Sequence, residues 1–139
     1  MYYIKFIMNN NVLKMIKYLY YFSLIALLIV YFSPGSLIGY LLYGDFEKQP
    51  DLISNPIGTS INHTLAFFYL SILGLTSYIK NKNFNQTIIF LISLSIILEL
   101  SHYFIPNRSF EFLDLFGNLI GTLIAMIVII SYKKHKEIL

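Results

Sequence analysis

The chain has 139 residues, of which 57% are hydrophobic and only 12% charged, with a mean hydropathy of +0.67. This is far from the composition of a water-soluble domain and marks an integral membrane protein. The absence of cysteine excludes disulfides, thiolate metal sites, iron–sulfur clusters, a cysteine nucleophile and S-acylation. A pI near 9.0 does not point to nucleic acid, because the basic residues are few, scattered and placed at the ends of apolar runs.

At this length the sequence predicts one domain, 1–139, built as an all-α bundle of four transmembrane helices that each need about 20 apolar residues. The first span is expected over about 16–32, preceded by Lys5, Lys14 and Lys17 and stopped by Ser33-Pro34-Gly35. Its aromatics and the lack of a small-x-small cleavage site favour an uncleaved helix over a signal peptide. The connection from Pro34 to Ser60 is the one long loop, and Asp45, Glu47, Lys48 and Asp51 give it a net charge of −2. Its apolar segment Leu37 to Tyr43 is too short to cross and is expected on the membrane surface or folded over the bundle, as a lid or a plain linker.

The second span is expected over about 61–79, ending at Lys80-Asn81-Lys82, the third over about 87–104, ending before Pro106, and the fourth over about 113–132, meeting Lys133-Lys134-His135-Lys136. Eight of the ten basic residues lie in the two termini and the Lys80 to Asn85 turn, leaving only Lys48 and Arg108 for the other side. The positive-inside rule therefore predicts both termini in the cytoplasm. Aromatics near the span ends (Tyr18, Tyr20, Tyr21, Tyr31, Phe32, Tyr78, Tyr103, Phe104, Tyr132) are expected to anchor the helices at the interfaces.

Ionisable groups at membrane depth cost about 2.5–3.5 kcal/mol each on insertion scales, so they mark a functional site. Here they cluster. Glu99 falls roughly 7 Å inside the third span at about 1.5 Å per residue, with His102 three residues on, and Asp114 and Asn118 stand at i and i+4 on the fourth span. These spacings put each pair on one helix face. His63, near the start of the second span, comes to the same depth, and Arg108 sits on the hairpin between the third and fourth spans, held by Pro106. The fourth span also carries Gly117-x-x-x-Gly121-x-x-x-Ala125, a small-residue stripe for close helix packing within the chain or, as a homo-oligomer contact, between chains.

Three uses of these groups are open. Arg108 can pair with Glu99 or Asp114 as a structural clamp. It can offer its planar fork to the phosphate or carboxylate of an amphiphile, with Glu99 and His102 as a hydrogen-bonding wall and Asp114 and Asn118 orienting the arginine or the ligand. Or Glu99, His102, His63 and Asp114 can act as acid–base groups or divalent-metal ligands on a lipid-linked substrate. No cofactor and no dedicated metal site is expected.

The same residues resemble the VanZ-like family, small bacterial membrane proteins related to the teicoplanin-resistance protein VanZ. The family pattern of a Glu with Gln or His three residues on, then Pro-x-Arg-Ser/Thr, an Asp, an Asn four later and a Gly three after that is met by Glu99, His102, Pro106, Arg108, Ser109, Asp114, Asn118 and Gly121. His63 in the context His63-Thr-Leu-Ala-Phe-Phe extends the resemblance, which covers about 62–125. Many members carry Asp-Lys shortly before this His, where this chain has Thr59, Ser60 and Asn62. The resemblance implies a four-helix protein of the bacterial cell envelope, in the cytoplasmic membrane, linked in some members to lower glycopeptide susceptibility. It implies no demonstrated enzyme activity. The expectation is thus a membrane protein whose outer-leaflet pocket binds an anionic lipid or lipid-linked envelope molecule. The alternatives are a membrane-embedded enzyme acting on such a substrate, or a structural protein that works through partners.

Overall fold

The computed structural model describes residues 10–48, 50 and 58–138; Lys5 and Asp51 lie outside them. Five α-helices follow in chain order: α1 (Asn10–Phe32), α2 (Leu37–Tyr43), α3 (Gly58–Ser77), α4 (Phe84–Ser101), which runs into a single 3-10 turn at His102–Phe104, and α5 (Phe112–Ile138). No strand occurs among the described residues. The all-α class therefore holds, and each expected span has a helix under it. α1 begins earlier than expected because Lys14 and Lys17 continue the helix, and α5 runs on through Lys133 and Lys134. Long lysine stems follow a helix surface while their ammonium groups stay in water, so a charged end does not stop the helix.

Among the described residues three helices are long and apolar enough to cross a membrane: Asn10–Phe32, Phe84–Phe104 and Phe112–His135. The expected second span, α3, has the length but not the apolarity. It carries Ser60, His63, Thr64 and Ser71, whose partners are inside the bundle, and Asn62, which bonds the Pro50 carbonyl of the preceding connection. A helix wrapped by others can bear polar residues that a lipid-facing helix cannot.

α3 is the centre of the packing, and its tightest partner is α5. The small-residue stripe explains the approach. A Cβ on Gly117 would stand 2.5 Å from the Ser60 carbonyl oxygen, one on Gly121 would collide with the Thr64 carbonyl, and Ala125 is fully buried. The stripe is thus filled by α3 of the same chain. On its other side α3 offers Gly74 to the ring of Tyr20 on α1, whose Cε2 would be 2.9 Å from an added Cβ. Phe22, Ile25 and Ile29 of α1, Ile89 and Ile97 of α4 and Ile127 of α5 point outward, an apolar exterior suited to lipid.

The basic segments meet at one end of the bundle. Lys17 Nζ lies 4.9 Å from the Tyr78 ring centre and Lys133 Nζ lies 4.5 Å from that of Phe84, while the hydroxyls of Tyr21 and Tyr78 are 2.6 Å apart. Two of the aromatics expected at the interfaces are in fact buried: Tyr20 belongs to the apolar core and Tyr31 to the polar one.

At the opposite end α2 caps the bundle. Ser36 accepts a hydrogen bond from the Gly39 N–H at 2.9 Å and starts the helix, and Gly44, left-handed at φ 70°, ends it, the usual pairing of a serine N-cap with a glycine stop. The α4–α5 hairpin closes the same end. Its turn Ile105-Pro106-Asn107-Arg108 has Asn107 at φ 59° and the Arg108 N–H 3.3 Å from the Ile105 carbonyl, matching a type II turn with proline second and a left-handed residue third. This turn aims Arg108 back toward α1.

Candidate functional site: a buried polar cluster behind a cavity

Glu99, His102, Asp114 and Asn118, expected together from their spacing, are brought together with His63 and are nearly or wholly buried. Glu99 is the hub. Its Oε1 lies 3.2 Å from His102 Nδ1 and accepts the Glu111 N–H at 3.2 Å. Its Oε2 accepts from Asn118 Nδ2 at 3.5 Å and stands 3.7 Å from His63 Nδ1. On the other side of the His63 ring, Nε2 is 3.5 Å from Asp114 Oδ2, and Asp114 Oδ1 accepts the Ser60 hydroxyl at 2.8 Å. The four titratable groups thus form a chain in the order Asp114, His63, Glu99, His102. Among the described residues no three His, Asp or Glu side chains converge in a way that could hold a metal ion.

Sequence reasoning missed three members. Tyr31 lies at the centre: its hydroxyl donates to Asn118 Oδ1 at 2.9 Å and is 2.8 Å from His63 Nδ1, and its ring stacks on His102 at 5.3 Å. In a span so rich in aromatics nothing singles it out. Ser60 was legible in principle, three residues before His63 and so on the same helix face. Ser95, whose carbonyl accepts from Asn118 Nδ2 at 3.4 Å, contributes only backbone and leaves no side-chain signal.

Arg108 departs from expectation. It pairs with neither Glu99 nor Asp114, and Asp114 and Asn118 do not orient it. Its Nη2 donates to the Val30 carbonyl at 3.0 Å and its Nε faces the Ser33 carbonyl at 3.4 Å. These carbonyls belong to the last turn of α1 and the residue after it, where acceptors lack helix partners and a cation is favoured. Burial pushes the Arg108 pKa down from its ordinary value, with Tyr31, Glu99 and Asp114 acting in the opposite direction. The side chain stays a cation at any accessible pH.

Between α1 and α3, beneath α2, lies a cavity of about 340 Å³. Its polar end is formed by Arg108, His63, Asn62, Tyr31 and Ser36. Farther along, the wall is apolar, with Ala26 and Leu27 on α1 facing Ala66 and Leu70 on α3, and Phe22 and Tyr69, both well exposed, stand at the side. Of the four candidate catalytic residues only His63 reaches this cavity, and both of its ring nitrogens are turned to the buried cluster. Glu99, Asp114 and Asn118 therefore support the wall from behind.

The VanZ/LLP1 family model matches residues 18–133, which takes in all five helices at least in part and every residue of the cluster. No curated protein and no solved structure matches the chain.

Proposed function

Because the chain belongs to the VanZ/LLP1 family, we propose that it is a four-span protein of the bacterial cytoplasmic membrane whose cavity binds an anionic amphiphile, either a lipid or a lipid-linked envelope molecule. In this reading α3 crosses the membrane as well, as the second of four spans, and the lysine-bearing end with both termini faces the cytoplasm. The cavity then opens in the outer half of the bundle, with α2 at the outer surface.

The observation that carries the reading is the polarity of the cavity: a cation at one end, aliphatic and aromatic walls along the rest, and a volume within the range of small-molecule sites. Arg108 directs two of its donor groups at α1 and the residue after it, and a phosphate or carboxylate oxygen would take what remains of its fork while relieving the burial of its charge. Binding is favoured over catalysis because the one histidine at the cavity has no nitrogen free to exchange a proton with a ligand. Lower susceptibility to a teicoplanin-type glycopeptide would follow where the captured molecule is a lipid-linked wall precursor. Expression in a susceptible host should then raise the inhibitory concentration of the drug.

Native mass spectrometry of protein extracted in mild detergent tests the binding. The expected result is a phosphorylated amphiphile on the wild type, lost in Ala66→Phe, which fills the apolar wall, and weakened in Arg108→Ala. Equal adducts on all three proteins would overturn the reading.

A further inference from the structure

The hydrogen bonds around His63 leave one proton to be placed. Asn118 is fixed in orientation, since its Nδ2 faces two acceptors, the Ser95 carbonyl and Glu99 Oε2. Its Oδ1 is therefore the acceptor for the Tyr31 hydroxyl, and the only proton Tyr31 has is committed there. His63 Nδ1 then faces accepting oxygens alone: Tyr31 Oη at 2.8 Å, Asn118 Oδ1 at 3.2 Å and Glu99 Oε2 at 3.7 Å. It must carry a hydrogen. A neutral ring protonated at Nδ1 would turn the Nε2 lone pair toward Asp114 Oδ2 at 3.5 Å, a repulsive contact between two acceptors. A second hydrogen, on Nε2, removes that repulsion and makes the ring an imidazolium between two carboxylates.

Glu99 accepts hydrogens from Asn118 and the Glu111 backbone and lies 3.2 Å from His102 Nδ1, and a proton between His63 Nε2 and Asp114 Oδ2 offsets one of the two carboxylates next to the ring. Among the described residues, the titratable and charged groups facing His63 are Tyr31 from α1, Glu99 from α4 and Asp114 from α5. Arg108 shares the cavity wall, and His102 joins through Glu99.

We infer that His63 holds a proton against Asp114 and that capture of an anionic headgroup in the cavity is coupled to this proton. The inference rests on the amphiphile-binding reading and adds its regulation. Protonated, His63 is a second cation at the polar end beside Arg108. Deprotonated, the wall has one negative charge more, and Asp114 and Glu99 repel the headgroup. A headgroup that prefers the protonated form must in turn raise its proton affinity.

The test uses wild-type protein in nanodiscs of neutral phosphatidylcholine, with ¹⁵N-labelled histidine and hexadecyl sulfate as a probe whose own charge does not change with pH. The expected result is two protonated ring nitrogens on His63 at about pH 6, within the range where histidine changes charge, the signals being assigned by their loss in His63→Gln. Affinity for the probe should fall as pH rises, approaching about tenfold per pH unit once the proton is being lost, and Asp114→Asn should flatten that profile. Binding with no pH dependence overturns the coupling and leaves the amphiphile reading standing. A neutral His63 ring at about pH 6 overturns the inference on the wild type alone, whatever the variants do. Failure to bind at any pH overturns the amphiphile reading and the inference with it.

Discussion

The two halves of the bundle are closed by opposite means. Toward the lysine-bearing end the interior is Tyr20, Leu70, Leu73, Leu75, Ile79, Phe84, Leu91 and Ile129, held by dispersion and close fit. Toward the hairpin end, among the described residues, Tyr31, Phe67 and Leu98 alone form an apolar cluster, and the space between helices is taken by Glu99, Asn118, His63, Asp114 and Ser60, joined by directional bonds. In a bilayer, apolar side chains lose little by facing lipid instead of each other, so the first half relies on shape alone. The second half has groups that find no partners in hydrocarbon and must stay together. A bundle needs only the first kind of interior, so the second is where function is to be sought.

The largest expected effect is on the hub of the polar half. Glu99→Leu removes the partner of His102 Nδ1 and the acceptor of Asn118 and the Glu111 N–H and leaves His63 beside Asp114 alone, and it should cost about 3–5 kcal/mol in detergent unfolding. A neutral outcome would mean that the polar half is no more dependent on its bonds than the apolar half, and the contrast would be lost. Gly121→Leu comes next, at about 3 kcal/mol, because its side chain must displace the Thr64 backbone in the seam common to both halves. Circular dichroism of the variant during heating would show it. Leu91→Ala, in the apolar half, should cost about 2–3 kcal/mol and leave ligand binding unchanged, whereas Glu99→Leu should abolish binding.

The sequence made much of the polar half legible, for a local reason. Glu99 with His102, and Asp114 with Asn118, are pairs whose helical spacing alone places them on one face, and the Gly117, Gly121, Ala125 stripe shows in the same way where a helix will pack. What could not be read is what depends on distant segments. The partners of Arg108 lie 75 and 78 residues away in α1 and its exit, and Tyr31 meets Asn118 across 87 residues. Backbone carbonyls leave no mark in a sequence, and a tyrosine inside a span full of aromatics looks like an interfacial anchor. The sequence predicts a span over about 61–79, and the polar residues that α3 turns to the other helices lower its apolarity below that of the three candidate spans.

The finest comparison uses one chemical change in both halves. Tyr21 and Tyr31 stand on the same helix, and each hydroxyl is bonded to a side chain of another segment: Tyr21 to Tyr78 at 2.6 Å, Tyr31 to Asn118 at 2.9 Å. Tyr21 is 43% covered by nothing but solvent or lipid, since that is its exposed share, and Tyr31 is 5% exposed. Tyr21→Phe leaves the Tyr78 hydroxyl free to turn to water or headgroups, so its loss should be below about 0.5 kcal/mol. Tyr31→Phe leaves Asn118 Oδ1 and His63 Nδ1 with one partner fewer in a largely buried place, and should cost about 1–2 kcal/mol, the upper range for a hydrogen bond between membrane helices. Unfolding of the two variants side by side, with amphiphile binding as the second readout, isolates location from chemistry. Equal losses would mean that the Tyr31 hydroxyl is spectator to the cluster, and that the hairpin half keeps its geometry from Glu99 and Asp114 alone.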